Sequence, residues 1–148
     1  MRSRNPEEFL AAEESAIVEQ AIHDAEEHTS AQIKFVIARH CWGRISDKAA
    51  RVFARMGLHK TAHRNYVLIL LVTANREFCI HGDRGIHEQA GQSLWDDVRD
   101  RMAAKFKVDA FAEGLAEGIG LIGEKLAHHF PHTAATTNEI SDKVGYED

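Results

Sequence analysis

The fold follows from the segment Asn65 to Gly85, which reads Asn-Tyr-Val-Leu-Ile-Leu-Leu-Val-Thr-Ala-Asn-Arg-Glu-Phe-Cys-Ile-His-Gly-Asp-Arg-Gly. Residues 66–72 are the most apolar run of the chain, and their Val and Ile content favours a strand that is buried on both faces. A polar reversal at 73–76 and an alternating segment at 77–81 then predict an antiparallel neighbour. The polar loop 82–85 follows this second strand and leads into a helix.

Composition and charge narrow the class of protein. The chain has 148 residues, which predicts one domain, with 44% hydrophobic and 28% charged residues as in ordinary globular proteins. A formal charge of −5 argues against a general nucleic-acid binder. No apolar run is long enough to insert into a membrane, and the first residues lack the apolar core of a signal peptide, so we expect a cytoplasmic protein.

Periodic patterns on both sides of the opening stretch predict the element order α-β-α-β-β-α-α. Helices are expected from Pro6 to about Glu27, from Lys48 to Met56, from Ile86 to about Lys105 and from Ala110 to His129, with a first strand over 31–38. Ser46 and Asp109 are predicted N-caps. The glycines of the last helix, Gly114, Gly118 and Gly123, are predicted points of close contact with the sheet or the first helix.

This order predicts a single α/β domain in which a small mixed sheet of three to four strands lies between helices. The expected boundaries are an N-terminal lead at 1–8, the domain at 9–131 and a disordered polar tail at 132–148. The strand–helix–strand unit over 31–73 should be a parallel crossover. The starts of these two strands and the end of the third strand should therefore lie at one end of the sheet.

Several polar side chains are predicted to converge at that end. They are Glu27, Thr29, Ser30, Arg64, Asn65, Asp83 and Arg84. Asp83, Asn65 and Glu27 offer the oxygen ligands that Ca²⁺ or Mg²⁺ takes in proteins. Arg64 and Arg84, beside the start of a helix, suit a phosphate. The first hypothesis is therefore a divalent-metal-dependent phosphohydrolase with Asp83, Glu27, Arg64 and Arg84 as its catalytic groups, acting on a small phosphoester or phosphoanhydride.

Each of these residues also has a structural interpretation. Asp83 is equally suited to capping the next helix or closing the Asp-Arg-Gly turn, and Asn65 to bonding its own backbone at the start of a strand. Thr29 and Ser30 more simply end a helix and begin a strand. The histidines suggest zinc, because His59 and His63 lie four residues apart, but no glutamate completes a His-Glu-x-x-His pattern. Oxygen ligands are therefore favoured over a zinc site.

The chain resembles the TPM domain family, named in part for a thylakoid lumen acid phosphatase. The matching segments are 26–33 (Glu-Glu-His-Thr-Ser-Ala-Gln-Ile), 65–69 (Asn-Tyr-Val-Leu-Ile), 80–86 (Ile-His-Gly-Asp-Arg-Gly-Ile), Trp95, Phe106 and the helix from Gly114 to Leu126 with Phe130-Pro131 after it. Together they cover most of the span from Phe9 to Pro131. Ala31 and Tyr66 stand where the family has glycines, and Gln32 stands where many relatives have Glu.

The resemblance implies a mixed sheet between helices. It also implies calcium binding and phosphatase or nucleotide-hydrolysing activity, which some relatives have. Other relatives act as binding or assembly factors, which supports a second hypothesis of a noncatalytic module with a protein partner. The absence of the leader and membrane anchor that are common in the family places the chain with a soluble cytoplasmic branch.

Overall fold

A computed structural model of the chain describes residues 2–61, 64–133 and 141–148, with the side chain of Gln92 outside that description. Four strands form one sheet in the order β3-β2-β1-β4. Their bounds are β1 Gln32–Ala38, β2 Tyr66–Val72, β3 Glu77–Gly82 and β4 Gly145–Glu147. β1 pairs in parallel with β2 and with β4, whereas β2 and β3 are antiparallel. The predicted mixed sheet and parallel crossover are confirmed.

The two central strands are buried along their whole length, which explains their unbroken apolar sequence. Val67, Ile69 and Leu71 of β2 face the larger hydrophobic core, and Leu68 and Leu70 face the smaller one. β1 divides in the same way, with Ile33, Phe35 and Ile37 in the larger core and Val36 and Ala38 in the smaller one. The sheet therefore has a hydrophobic layer on each face.

Helices form those two layers. Their bounds are α1 Pro6–Phe9, α2 Ala12–Glu26, α3 Ile45–Arg55, α4 Arg84–Ala90, α5 Asp96–Lys107 and α6 Phe111–His129, with short 3-10 turns at Leu58–Lys60 and Gln92–Trp95. α3 covers the smaller core, and the remaining helices contribute to the larger one. The predicted α/β sandwich is confirmed.

Two of the predicted helices are each divided. The expected helix from Pro6 to Glu27 breaks at Leu10, where the backbone is extended and the guanidinium of Arg2 binds the carbonyl of Phe9 at 3.0 Å. The expected helix from residue 86 breaks at Gly91, whose φ of 81° lies in the left-handed region that glycine tolerates best. α6 begins after Ala110, so Asp109 is not its cap; Arg44, rather than Ser46, precedes the first turn of α3.

The glycines of α6 lie at close helix contacts, as predicted, although the partners are α2 and α5 rather than the sheet. A Cβ atom on Gly123 would lie 2.8 Å from the Cβ of Ala25, and one on Gly118 would lie 2.5 Å from the sulfur of Met102. Both distances are shorter than van der Waals contact, so a side chain at either position would force the neighbouring side chain or helix to move. Close packing explains why a helix tolerates several residues of poor helix propensity.

The prediction of a disordered tail is wrong for the described residues 141–148. Val144 is buried in the larger core, and β4 follows it along the edge of β1. The ammonium of Lys34 donates to the carbonyls of Ser141 and Lys143 at 3.2 and 2.5 Å, and these bonds hold the segment before β4 in place. These contacts are long-range, so a local search for periodicity over a short polar segment does not detect them. Residues 134–140 of the predicted tail lie outside the described residues.

Candidate functional site

Three separate segments meet at one edge of the sheet, as the chain direction predicts. The amide of Asp83 donates to the carbonyl of Tyr66 at 2.9 Å, and the amide of Gly85 donates to the carbonyl of Arg64 at 2.9 Å. The amide of Gln32 donates to the carbonyl of Asn65 at 3.2 Å, so the start of β1 joins the same edge. The starts of β1 and β2 and the end of β3 are therefore neighbours.

Asp83 and Arg64 form a two-pronged ion pair at this edge. Nε of Arg64 lies 2.7 Å from Oδ2 of Asp83, and Nη2 lies 2.7 Å from Oδ1. The Asp83 side chain is 5% exposed and that of Arg64 is 33% exposed, so one partner is buried and the other reaches solvent. Arg64 has a backbone φ of 52°, an unusual conformation for a residue with a side chain. This conformation turns the chain into β2 while its side chain reaches Asp83.

Asp83 also caps α4. Its Oδ1 accepts the backbone N–H of Arg84 at 2.7 Å, as the capping interpretation predicted. Burial alone would raise the pKa of Asp83, but the hydrogen bonds from Arg64 and from the Arg84 amide outweigh it, so the net shift is downward. The carboxylate is ionised at neutral pH, and both of its oxygens are already bonded.

Asn65 links the two parallel strands at their starting ends. It is buried, and its Nδ2 donates to the carbonyl of Ser30 at 3.1 Å. Thr29 has a similar role on the neighbouring segment, where its hydroxyl donates to the carbonyl of Phe130 and accepts the amide of Ala31. The backbone amide of Ser30 also binds the Phe130 carbonyl, at 2.8 Å. Asn65 therefore bonds the backbone of the segment before β1 rather than its own backbone, and Thr29 bonds backbone between the end of α2 and the start of β1.

Glu27 and the Arg84 side chain do not join the Asp83–Arg64 pair in the described contacts. Glu27 is 61% exposed and lies 3.2 Å from Nε2 of His23, one turn earlier on α2. Arg84 is 67% exposed, and its Nε lies 3.7 Å from Glu88 on the same helix. Ion pairs that are this exposed contribute little and hold neither side chain firmly in place. Of the five predicted functional side chains, Arg64 and Asp83 bond to each other, and the Asn65 side chain bonds instead to the carbonyl of Ser30.

The described residues, 2–61, 64–133 and 141–148, contain no group of three or more His, Cys, Asp or Glu side chains that could hold a metal ion. The carboxylate oxygens of Asp83 are bonded to the guanidinium of Arg64 and to the backbone amide of Arg84. An ion at Asp83 would therefore have to displace Arg64, and Glu27 pairs with His23 instead. His63, one of the possible zinc ligands, lies outside the described residues, and His81 packs its ring 4.9 Å from that of Phe53.

Sequence reasoning chose Glu27 and missed its neighbour Glu26. Glu26 accepts the amide of Ile33 at 2.8 Å, and burial, with a smaller contribution from a hydrogen bond to Asp142, raises its pKa to about 9. The signal was present in the helical spacing. Glu26 follows Ile22 by four residues and therefore lies on the buried face of α2, whereas Glu27 does not.

Comparisons with known proteins agree with this fold. The family model for the TPM domain matches residues 3–125. The NMR structure of BA42 protein from the psychrophilic bacterium Bizionia argentinensis is similar, with 32% identity and a TM-score of 0.90 over 97% of this chain and 99% of that chain.

A second solved structure shows the fold alone. The N-terminal domain of a protein from P. gingivalis has 18% identity and a TM-score of 0.67 over 84% of this chain and 82% of that chain. No curated protein matches the chain. Within the part of the chain that the structure describes, no helix combines the length and the apolar character needed to cross a bilayer.

Proposed function

Because this chain belongs to the TPM domain family, we propose that it is a noncatalytic binding or assembly module built on the family fold. The observation that supports this most is the state of Asp83. Both oxygens of its carboxylate are bonded, one to Nε of Arg64 and the other to Nη2 of Arg64 and to the amide of Arg84. Asp83 is thus committed to holding together the start of β2 and the start of α4.

The electrostatics of Asp83 support the same proposal. A general base works best with a pKa near the working pH, and the pKa of Asp83 is shifted the other way, downward. A carboxylate that is buried and held by a guanidinium is a weak base. It is also a poor metal ligand unless the ion displaces the arginine. Such a pair rigidly joins the start of β2 to the start of α4, which suits a module that presents a binding surface.

A direct assay tests the proposal. Purified protein is titrated with Ca²⁺ and with Mg²⁺ by calorimetry and is then given p-nitrophenyl phosphate and ATP with each ion. We expect hydrolysis at the buffer rate, with no change in Asp83→Asn. Asp47→Asn is the matched control, because Asp47 is an exposed aspartate that also pairs with an arginine, at 3.2 Å. Turnover that needs the ion and disappears in Asp83→Asn, but not in Asp47→Asn, would contradict the proposal.

The second candidate is the divalent-metal-dependent phosphohydrolase, in which Asp83, Asn65 and Glu27 would hold Ca²⁺ or Mg²⁺ and Arg64 and Arg84 would face the phosphate. The meeting of Arg64, Asn65 and Asp83 at one edge favours it. It requires the Arg64–Asp83 pair to open. Arg64→Gln should then raise the affinity for Ca²⁺ by freeing the carboxylate, and an unchanged affinity would count against this candidate.

A cytoplasmic setting belongs to the same proposal. Fractionation of expressing cells checks it: we expect the protein in the high-speed supernatant. Recovery with the membrane pellet after a salt wash would contradict a cytoplasmic module.

A further inference from the structure

The outer flank of α3 carries a row of positive charge. Its members, which we call the α3 basic stripe, are Arg44, Lys48, Arg51 and Arg55. Their spacings of four, three and four residues place them on one side of the helix, beside the side that buries Ala49, Val52 and Phe53. The chain as a whole has a formal charge of −5, so this stripe is a local reversal of sign.

An exposed tryptophan lies just before the stripe. Trp42 is 85% exposed, whereas Trp95, the other tryptophan, is 2% exposed. The indole of Trp42 stacks on the ring of His40 with centroids 5.2 Å apart and planes 16° apart. Stacking holds the large ring in the loop after β1, where it is available to a partner. Tryptophan and arginine are the residues that most often dominate the energetics of protein interfaces.

The chain's own acidic segment shows what the stripe binds. Oε2 of Glu147 lies 2.9 Å from Nη2 of Arg55, and the ammonium of Lys48 donates to the backbone oxygen of Asp148 at 2.9 Å. This segment is extended, and residues 145–147 run parallel to β1. It therefore heads toward the end of β1 that precedes Arg39 and Trp42. The stripe thus binds a side-chain carboxylate and a main-chain oxygen of an extended segment.

Half of the stripe is left for another molecule. Arg51 and Arg39 are exposed and have no ion pair among the described residues, and Arg44 has only the exposed Asp47 as its partner. Eleven residues of α3 span about 16 Å, which an extended segment of about five residues would match. The charge complement of this surface is acidic, and the occupant already seated on it is a peptide rather than a phosphate backbone.

We propose that Trp42, Arg39 and the α3 basic stripe form the docking surface for a short, acidic, extended segment of a partner protein, which competes with Glu147 for Arg55. This inference rests on the proposed binding function and names the chemistry of the partner. The competition follows from geometry, because one arginine side chain cannot serve both carboxylates at full strength. Residues 147–148 thus act as a weak internal competitor.

The test uses the full chain and a synthetic peptide, Glu-Tyr-Glu-Asp-Glu-Asp, with tryptophan emission as the readout. Trp42 is exposed and Trp95 buried, so docking should shift the emission to shorter wavelength and reduce quenching by acrylamide. Glu147→Gln should tighten binding by about two- to fivefold, the size of an ion pair at the protein surface. Its control is Glu113→Gln, which breaks an ion pair with Lys105 away from the stripe and should change nothing.

A charge reversal tests the stripe itself. Arg51→Glu should weaken peptide binding at least fivefold, and the same reversal at Lys107, an exposed lysine at the end of α5, should leave it unchanged. Equal losses in both variants would reduce the effect to nonspecific charge and overturn the docking surface. Trp42→Ala should remove the emission change and weaken binding, and thermal melts of each variant separate misfolding from lost contact.

Other probes decide between partner classes. Vesicles of phosphatidylglycerol and phosphatidylcholine and a single-stranded thymidine oligonucleotide are offered under the same conditions. Tighter binding of either one than of the peptide, or no binding of the peptide, would overturn the proposal. The phosphatase assay is independent of the docking test. Turnover with intact peptide docking would refute the noncatalytic function but not the docking surface. Failed docking without turnover would refute the docking surface but not the noncatalytic function.

Discussion

Asp83 and Glu26 are both buried or half-buried carboxyl groups, and their surroundings treat them in opposite ways. Asp83 faces a guanidinium and a helix start, which lower its pKa. Glu26 is largely removed from water and lies beside Asp142, which together raise its pKa to about 9. One group is a fixed negative charge, and the other holds a proton at neutral pH. The neighbouring groups and the degree of burial, rather than the residue type, therefore decide whether each carboxyl group is ionised at neutral pH.

The largest effect on stability should come from removing the Asp83 carboxylate. Asp83→Ala removes both prongs of the ion pair and the cap of α4 and leaves Arg64 without its partner. We expect a loss of about 3 kcal/mol in the free energy of unfolding, since breaking a largely buried pair costs far more than losing an exposed one. Urea denaturation at pH 7 measures it. A loss below about 1 kcal/mol would mean that the pair behaves as a surface contact.

Removing the ammonium of Lys34 should have the next largest effect on stability. Lys34 is buried, its pKa is lowered by that burial, and it holds the carbonyls of Ser141 and Lys143. Lys34→Met keeps the apolar stem and removes the bonds, so we expect about 2 kcal/mol of destabilisation, the range for hydrogen bonds from charged groups. Amide hydrogen exchange should quicken at 144–147 first. Lys60→Met, at an exposed lysine, serves as the control, and protection that stays unchanged at β4 would contradict the account.

The contributions of Glu26 and Asp83 to stability should change with pH in opposite directions. The pKa of Glu26 is raised on folding, so its contribution to stability is complete below its unfolded value, near 4.5, and is lost as pH rises toward about 9. The pKa of Asp83 is lowered, so its contribution is present above 3.8 and is lost as pH falls through its folded value.

Glu26→Gln mimics the protonated form and should separate these two contributions. We expect this variant to lose the decline in the free energy of unfolding that the wild type shows between pH 5 and pH 9. Unfolding free energies measured across that range check it, with the acid side left to Asp83. A decline of the same size in Glu26→Gln would assign it to another group.

The sequence predicts much of the architecture because the strongest signals are local. The apolar run 66–72, the reversal after it and the loop at Asp83 lie within one stretch, and chain direction alone places Arg64, Asn65 and Asp83 together. The ion pair and the cap, by contrast, depend on side-chain geometry. The sequence offers Asp83 as a ligand or a cap, and only the distances show that Arg64 already holds it.

The features that the sequence misses are held by long-range contacts. β4 contributes three residues to the sheet, and its anchors at Lys34, Glu19 and Arg55 lie about ninety to more than a hundred residues away in the chain. No local periodicity marks such a segment. Glu26 is a different case, because its helical phase relative to Ile22 predicts burial. There the helical spacing alone carries the signal.

The smallest effect separates the two acids at the end of α2. Glu27→Gln should change the free energy of unfolding by less than about 0.5 kcal/mol, because its pair with His23 is exposed on both sides. The same variant sharpens the functional question, since a ligand or base at position 27 would lower ion affinity or turnover when neutralised. Calorimetric titration with Ca²⁺ should give identical curves for Glu27→Gln and wild type, and a weaker curve for the variant would restore Glu27 to the metal hypothesis.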